Sequence, residues 1–154
     1  MKLQTVVIDD SLLQRLTAEY FVENHPELEL IGSYEDPKIG LSKVVTAKVD
    51  LVILDIEMPG MNGFELMSCL NPEVQVILNS TVASYADTAM QFGAAVFLQK
   101  PLQKQEFNAA ITEVSLNIAV IKLLEADVRV RKNHTPTYQH LKSHFETLSV
   151  PKVF

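Results

Sequence analysis

Residues 51–63, with the sequence LVILDIEMPGMNG, combine a short apolar run, an acidic residue directly after it, and a turn. The run at 51–54 has the length and composition of a β-strand that is covered on both faces. The Pro-Gly pair at 59–60 is typical of a turn, and Asn62 is a suitable N-cap for a following helix. The stretch therefore predicts a buried strand, a loop that starts beside Asp55, and a helix.

Apolar runs alternate with stretches of helical spacing over most of the chain. The runs are residues 3–8, 28–33, 51–54, 74–78 and, more weakly, 96–98. The helical stretches carry Leu12, Leu16, Tyr20 and Phe21 in the first, Ile39, Leu41, Val44 and Val45 in the second, Phe64, Met67 and Leu70 in the third, residues 84–92 in the fourth, and a fifth from Lys104. This alternation predicts a (βα)5 fold of the α/β class, in which helices cover both faces of a parallel sheet. Ligands bind such sheets at the carboxyl ends of the strands.

Composition and charge limit the classes of function. A chain of 154 residues that is 47% hydrophobic and 21% charged fits one globular domain with an appendage, and no apolar run reaches the roughly 20 residues of a membrane helix. We therefore expect a cytoplasmic protein that does not contact a membrane. Cys69 is the only cysteine, which excludes an internal disulfide, and we expect it to serve in helix packing. Residues 1–120 carry 16 acidic against 7 basic side chains, so we expect no direct nucleic-acid contact.

Acidic residues follow two of the predicted strands. Asp9 and Asp10 follow the first strand, Asp55 ends the third, and Glu57 comes two residues later. Carboxyl groups at one edge of a sheet repel one another unless a cation neutralises them, and Mg²⁺ prefers such oxygen ligands. Taken alone, the Asp9-Asp10 pair fits an ordinary helix cap equally well.

A lysine follows the fifth predicted strand, at the same edge of the sheet. Lys100 can pair with a carboxylate and then with a phosphoryl oxygen, which reduces the charge penalty of phosphorylation. A solitary surface lysine is usually only a solvated charge. Its position beside the acidic residues favours the functional interpretation.

Together these features resemble the receiver domains of two-component response regulators. The resemblance rests on Asp9-Asp10, on Asp55 within DIEMPGMNG, on a hydroxyl residue after the fourth strand, and on FLQKP ending at Lys100-Pro101. It covers about residues 1–122 and implies a flavodoxin-like, doubly wound sheet with strand order 2-1-3-4-5. We expect residues 123–154 to form a helical extension and tail of unknown role.

The resemblance also implies roles for individual residues. Asp55 would be the phosphoacceptor, and Mg²⁺ would be held by Asp9, Asp10, Asp55 and the backbone carbonyl of Glu57. Lys100 would pair with the phosphoryl group, and the peptide bond between Lys100 and Pro101 would be cis.

Two further positions correspond to the switch of the family. The switch hydroxyl falls on Ser80, with Thr81 as the alternative, and the switch aromatic falls on Phe97. The alternative for Phe97 is a plain core aromatic on a short strand.

The implied function is that of a phosphoacceptor in signalling. We expect a histidine kinase or a histidine phosphotransfer protein to donate the phosphoryl group, and a downstream protein to bind the switched surface. We expect no enzyme activity beyond self-phosphorylation and self-dephosphorylation.

Three other interpretations remain open at this point. An enzyme of the haloacid-dehalogenase type would require a second Asp two residues after the nucleophile, where this chain has Glu57, and a longer chain. A receiver-like interaction module without phosphorylation would not require Asp10, Asp55 and Lys100 together. Tyr85 and the stretch at 80–94 resemble the receivers of LytTR-type transcription factors, so the chain could be such a receiver without its DNA-binding domain.

The C-terminal region carries its own apolar pattern. Apolar residues from the fifth helix onward continue past the length needed to cover a sheet: Phe107, Ile111, Val114, Ile118, Ile121, Leu123, Leu124 and Val128. Thr135-Pro136 predicts the start of another helix, with Tyr138, Leu141, Phe145 and Leu148 at helical spacing. This extension either forms a homodimer or adaptor surface, or folds back on the same molecule. His140 and His144 are interpreted as a solvated helix face rather than a zinc site.

Overall fold

The computed structural model describes residues 1–133, with side chains described up to residue 131. Strands and helices alternate from the start of the chain, as the apolar pattern predicts. The elements are β1 (Leu3–Ile8), α1 (Leu12–Glu23), β2 (Leu28–Tyr34), α2 (Pro37–Thr46), β3 (Leu51–Asp55), α3 (Gly63–Ser68), β4 (Gln75–Ser80), a 3₁₀ turn (Ala83–Tyr85), α4 (Ala86–Gln91), β5 (Val96–Gln99) and α5 (Lys104–Asn133).

The five strands form one parallel sheet in the order β2-β1-β3-β4-β5, which confirms the flavodoxin-like prediction. The register places Asp55 of β3 opposite Asn79 of β4, and Asn79 opposite Leu98 of β5. Because all strands are parallel, their carboxyl ends lie at one edge, and the residues that follow them are brought together there.

Each face of the sheet is covered by a different set of helices. On one face, alternate residues of β1, β3 and β4 pack with Val44 of α2, Leu66 of α3 and Ala89 of α4. On the other, Phe107 of α5 is buried and stacks on Phe21 of α1, with ring centroids 5.4 Å apart. This two-sided cover explains why the central strands are almost continuously apolar.

Polar side chains cap the first three helices, and Asn62 does so as predicted. Ser11, Asp36 and Asn62 accept hydrogen bonds from backbone N–H groups in the first turns of α1, α2 and α3. The loop between β3 and α3 also requires glycine at its end. A Cβ atom on Gly63 would lie 2.5 Å from the carbonyl oxygen of Asp55, closer than any real contact. Gly63 therefore allows the chain to return tightly past Asp55.

The predicted buried faces of α1 and α2 are partly wrong. Leu12, Leu16 and Tyr20 are all at least half exposed, whereas Ala18 and Val22 are the buried residues of α1. Helical spacing identifies a face but not which face packs, and the small residues fit closer to the sheet.

The same error affects the other helices to a smaller degree. Ile39 and Val45 of α2 are exposed, and Val44 is buried. Cys69 at the end of α3 is exposed, so the prediction that it serves in helix packing was wrong. It lies at the C-cap of α3, and the next residue, Leu70, packs against the core instead.

The long fifth helix is confirmed, and it spans two units of the structure. One unit comprises Met1–Val114, and the second begins at Ser115. In the first unit, Phe107, Ile111 and Val114 are buried. In the second unit, five large apolar side chains are exposed: Leu116, Val120, Leu123, Leu124 and Val130.

By length and composition, the helix over Lys104–Arg131 is long and apolar enough to cross a membrane, and 22% of its most apolar 18-residue stretch is buried. No continuous apolar run within it reaches about 20 residues, since Glu113 and Lys122 interrupt the helix, so the helix meets this criterion only on average. One such helix is weak evidence for a membrane span, since core helices of soluble proteins pass the same test.

Several predictions concern residues outside the described range. The helix starting at Thr135-Pro136 and the interpretation of His140 and His144 lie there. The domain boundary at residue 122 and the role of residues 123–154 stay predictions.

Candidate functional site

The turn from β1 into α1 fixes the first acidic residue. The backbone N–H of Asp9 donates to the carbonyl oxygen of Tyr34 at 3.1 Å, which continues the pairing of β1 with β2 past the last strand residue. The Asp9 carboxylate accepts from the backbone N–H of Ser11 at 2.9 Å, and the Asp9 carbonyl accepts from Arg15 Nη1 at 2.9 Å. Asp9 is only 3% exposed, whereas the adjacent Asp10 is exposed.

Lys100, which follows the edge strand β5, contacts acidic residues at the ends of the first and third strands. Its Nζ donates to Asp9 Oδ2 at 2.8 Å and to Asp55 Oδ1 at 3.0 Å. The lysine side chain is 7% exposed, so both ion pairs are largely shielded from water. The backbone N–H of Lys100 donates to the carbonyl oxygen of Ser80 at 2.8 Å, and the Lys100-Pro101 peptide bond is cis, as the resemblance implies.

The surroundings change the proton affinity of both partners. Burial, and then the neighbouring Asp9 carboxylate, raise the pKa of Asp55 to about 7, against the opposing effect of Lys100. Burial alone would lower the pKa of Lys100, but its hydrogen bonds to Asp9 and Asp55 outweigh this effect and raise it. The site therefore has more negative charge than one lysine neutralises.

This excess of negative charge fits a cation. One carboxylate oxygen from each of Asp9, Asp10 and Asp55 lies within 4.8 Å of the others. Hard divalent ions such as Mg²⁺ take carboxylate oxygens together with retained waters, and the exposed Asp10 leaves one side open to solvent. The donor set is thus suitable for Mg²⁺.

The hydroxyl residues after the fourth strand are separated by the fold. Ser80 is the last residue of β4 and is buried, while Thr81 is exposed. The Ser80 Oγ accepts from the backbone N–H of Val82 at 3.0 Å and lies 3.5 Å from Glu57 Oε1. Glu57 itself is exposed, two residues beyond Asp55.

Phe97 lies on β5, two residues from its end. It is partly buried and packs against the core cluster on the face covered by α2, α3 and α4. The structure thus places an aromatic ring on the strand next to β4, whose last residue is Ser80.

One residue at this edge is missed by the sequence analysis. Asn79 is 2% exposed, and its Oδ1 atom has no hydrogen-bond partner among the described residues. The signal available is an amide that interrupts the otherwise apolar run before Ser80.

Comparison with known proteins identifies the domain. The sequence pattern of the response regulator receiver domain matches residues 5–112. A protein-glutamate methylesterase/protein-glutamine glutaminase of Geobacillus kaustophilus is 36% identical over 105 residues, which cover 64% of this chain and 30% of the relative. One of the same name from Myxococcus xanthus, numbered 1, is 32% identical over 142 residues, 90% of this chain and 39% of the relative.

Solved structures agree on the fold. The signal receiver domain of a NarL response regulator from Mycobacterium tuberculosis has a TM-score of 0.66 at 26% identity, covering 73% of this chain and 94% of that one. The CheX-CheY-BeF3-Mg complex from Borrelia burgdorferi has a TM-score of 0.67 at 22% identity, covering 73% and 88%.

The relatives correct one prediction. We expected a signalling protein without enzyme activity, but the curated relatives are named for an enzyme activity on protein glutamate and glutamine. The prediction was wrong because receiver motifs carry no information about the activity of the protein that contains them. This chain spans about a third of the length of these relatives. What the family pattern and the parallel five-stranded sheet establish together is that the chain belongs to the response regulator receiver family.

Proposed function

We propose that Asp55 accepts a phosphoryl group from the phosphohistidine of a histidine kinase or a histidine phosphotransfer protein. The observation that carries this proposal is the buried ion pair of Asp55 with Lys100, at 3.0 Å, at the edge where the strands end. A carboxylate oxygen of Asp55 forms the new P–O bond while the P–N bond breaks, and the donor imidazole keeps the electron pair of that bond. Lys100 offsets the charge on the phosphoryl oxygens.

The attacking carboxylate must be unprotonated. Since the pKa of Asp55 is raised to about 7, a nearby positive charge increases the fraction of reactive carboxylate at neutral pH. Receiver domains bind Mg²⁺ at an acidic site, and here Asp9, Asp10, Asp55 and the backbone carbonyl of Glu57 would hold it. When bound, Mg²⁺ supplies positive charge to the phosphoryl oxygens.

Ser80, rather than Thr81, is our choice for the switch hydroxyl. Ser80 is buried at the end of β4, and its hydroxyl is engaged by the Val82 N–H at 3.0 Å. A phosphoryl group on Asp55 attracts the hydroxyl, the loop after β4 follows, and Phe97 turns into the space that it leaves. The surface formed by α4, β5 and the start of α5 then changes its affinity for a downstream partner.

The donor protein needs a surface beside the acidic edge. Leu12, Leu13 and Leu16 of α1 are exposed directly after the Asp9-Asp10 turn. An exposed apolar patch next to charged residues is typical of a protein interaction site. We assign contact with the phosphoryl donor to this part of α1.

A second candidate concerns the output. Relatives named protein-glutamate methylesterase/protein-glutamine glutaminase are 36% and 32% identical to this chain, and in one of them the similarity covers 90% of it. We therefore propose that this receiver regulates an activity of that kind, in the same or a separate polypeptide. The LytTR-type output stays a prediction beside it.

The exposed apolar residues of α5 favour a homodimer. Leu116, Val120 and Leu123 recur at spacings of four and three residues, the repeat by which two helices pack together. The earlier turns of α5 are buried in the receiver core at Phe107 and Ile111, which favours a soluble, cytoplasmic helix over a membrane span.

Labelling with acetyl phosphate and Mg²⁺ tests the proposed function. A stable, acid-labile label on Asp55 of the full chain is the expected result. Continuous turnover of a phosphorylated substrate would favour a phosphatase of the haloacid-dehalogenase type, and no label in the presence of Mg²⁺ would favour the unphosphorylated interaction module.

A further inference from the structure

Asn79 is a buried amide with an unused acceptor. It is 2% exposed, and among the residues the structure describes its Oδ1 has no hydrogen-bond donor. Buried polar atoms are paired with protein groups or with ordered water in nearly all native structures. An unpaired oxygen at this depth therefore indicates a missing donor.

Lys100 has an N–H donor without an acceptor among the described residues. Its ammonium group carries three N–H donors. The described residues supply acceptors for two of them, Asp9 Oδ2 at 2.8 Å and Asp55 Oδ1 at 3.0 Å. Because the side chain is 7% exposed, the third N–H has little access to bulk water.

The strand order brings the two groups together. Lys100 follows β5 and Asp55 ends β3, with β4 between these strands. The lysine side chain must therefore cross the carboxyl end of β4 to reach Asp55. Asn79 is paired with Asp55 on one side and with Leu98 on the other, so these three side chains share one face of the sheet. The backbone N–H of Lys100 still donates to the Ser80 carbonyl, so the strand pairing continues to Lys100. Its side chain therefore lies on the same face of the sheet as that of Leu98, two residues earlier.

We propose that Asn79 is a positioning residue for Lys100, whose third N–H reaches Asn79 Oδ1 through one buried water. A free donor and a free acceptor that share one polar site but do not bond each other directly are the partners that hold such a water. The water fixes the ammonium group above β4, so that it is correctly placed both before and after Asp55 carries the phosphoryl group. The catalytic part of this inference rests on the proposed function of Asp55.

The test compares variants of the full chain at two buried polar side chains. Asn79→Leu keeps the approximate volume and removes the side-chain amide, including the Oδ1 acceptor. Thr5→Val is the control, since it also removes a buried oxygen, from a residue of β1 whose hydroxyl donates to the Leu3 carbonyl at 3.0 Å. Circular dichroism establishes that each variant is folded.

The first readout is hydrogen exchange of the Lys100 ammonium protons, observed by nitrogen-15 NMR. We expect exchange to be about tenfold faster in Asn79→Leu and unchanged in Thr5→Val, since loss of a hydrogen bond to a charged group amounts to about one order of magnitude. Unchanged exchange in a folded Asn79→Leu variant would overturn the proposal. If that variant does not fold, Asn79→Thr and Asn79→Val make the same comparison, because they differ by a hydroxyl in place of a methyl group.

The second readout is the rate of labelling by acetyl phosphate. We expect the maximal rate to fall about tenfold in Asn79→Leu while the half-saturating donor concentration stays unchanged, because a positioning group acts in the transition state. If the wild type takes no label but the exchange effect is present, the proposed function fails and the positioning role stands. If the wild type is labelled normally and proton exchange at Lys100 is the same in Asn79→Leu as in the wild type, the positioning role fails and the proposed function stands.

Discussion

The carboxyl edge of the sheet and the second part of α5 depart from the usual distribution of side chains in opposite ways. At the sheet edge, Asp9 and Asp55 are 3% and 4% exposed, although carboxylates are normally solvated. In α5 beyond Ser115, Leu123 and Leu124 are 70% and 60% exposed, although leucine is normally buried. The buried charges find a partner within the chain, whereas the apolar side chains find none among the described residues. The sheet edge therefore satisfies its buried charges within the chain, whereas the exposed side chains of α5 are available for the contact with a partner that we propose above.

The largest expected effect tests the first region. Asp55→Asn should abolish labelling by acetyl phosphate, because an amide oxygen is not a competent phosphoacceptor, while the variant stays folded since the amide keeps the shape of the buried side chain. Mass spectrometry of the intact chain measures the label. Asp87→Asn, which changes an exposed residue in the first turn of α4, is the matched control and should label normally. Full labelling of Asp55→Asn would remove Asp55 from its role.

A second pair of variants tests the contrast within α5. Phe107 is buried against Phe21, and Phe107→Ala should lower the free energy of unfolding by about 3–5 kcal/mol. Leu123→Ala removes an exposed side chain and should change it by less than about 0.5 kcal/mol in the monomer. Urea unfolding at low protein concentration measures both. Equal losses would show that the contrast in burial is not a contrast in stability.

The pH dependence of stability tests the burial of Asp55. Its pKa in the folded protein is raised from 3.8 to about 7, so the folded state binds this proton more tightly than the unfolded state does. Without divalent cations, the free energy of unfolding should therefore fall as the pH rises from about 4 to about 7, by on the order of 1–4 kcal/mol. Chemical unfolding at several pH values measures this slope. Asp55→Asn should remove it, and a slope that persists in this variant would assign it to other groups.

Metal binding should depend on the exposed member of the acidic cluster. Asp10→Ala should weaken Mg²⁺ binding by about 10–100-fold, by analogy with the loss of groups that support a metal site. The rise in melting temperature on titration with Mg²⁺ measures the affinity. Glu73→Ala, at an exposed residue before β4, is the control. An identical titration for Asp10→Ala and the wild type would count against the cluster as a metal site.

The smallest expected effect is a change from dimer to monomer. We expect the full chain to sediment as a dimer and a chain ending near Ile121 as a monomer, because the truncation removes Leu123, Leu124 and Val130. Both forms are measured with and without acetyl phosphate. Monomers in all four samples would exclude the dimer and leave these residues to a different partner.

The fold and the candidate site were largely predictable for one physical reason. In a parallel sheet, strand order and polarity bring every residue that follows a strand to one edge, so Asp9, Asp55 and Lys100 could be grouped from position alone. The pairing of Lys100 with both carboxylates, and the raised pKa of Asp55, depend on distances that sequence spacing does not contain.

The errors have physical causes of their own. Apolar residues at helical spacing occur on two faces of α1, and only packing decides that Ala18 is buried while Leu16 is not. The search for continuous apolar runs did not single out α5, because Glu113 and Lys122 interrupt a stretch that remains apolar on average. Asn79 was overlooked because a single amide in a strand belongs to no recognisable sequence motif. Its proposed role depends on its position next to Lys100 in the folded sheet.

The ion pairs of Lys100 have a consequence for the newly synthesised protein. Lys100 is separated by 91 residues from Asp9 and by 45 from Asp55, so neither contact can form until nearly the whole sheet has left the ribosome. Contacts of such long range close late in folding, after the loop entropy between their ends has been overcome. If Asp55 accepts a phosphoryl group as we propose, a nascent or incompletely folded chain would carry the acidic residues without their lysine and would be phosphorylated slowly.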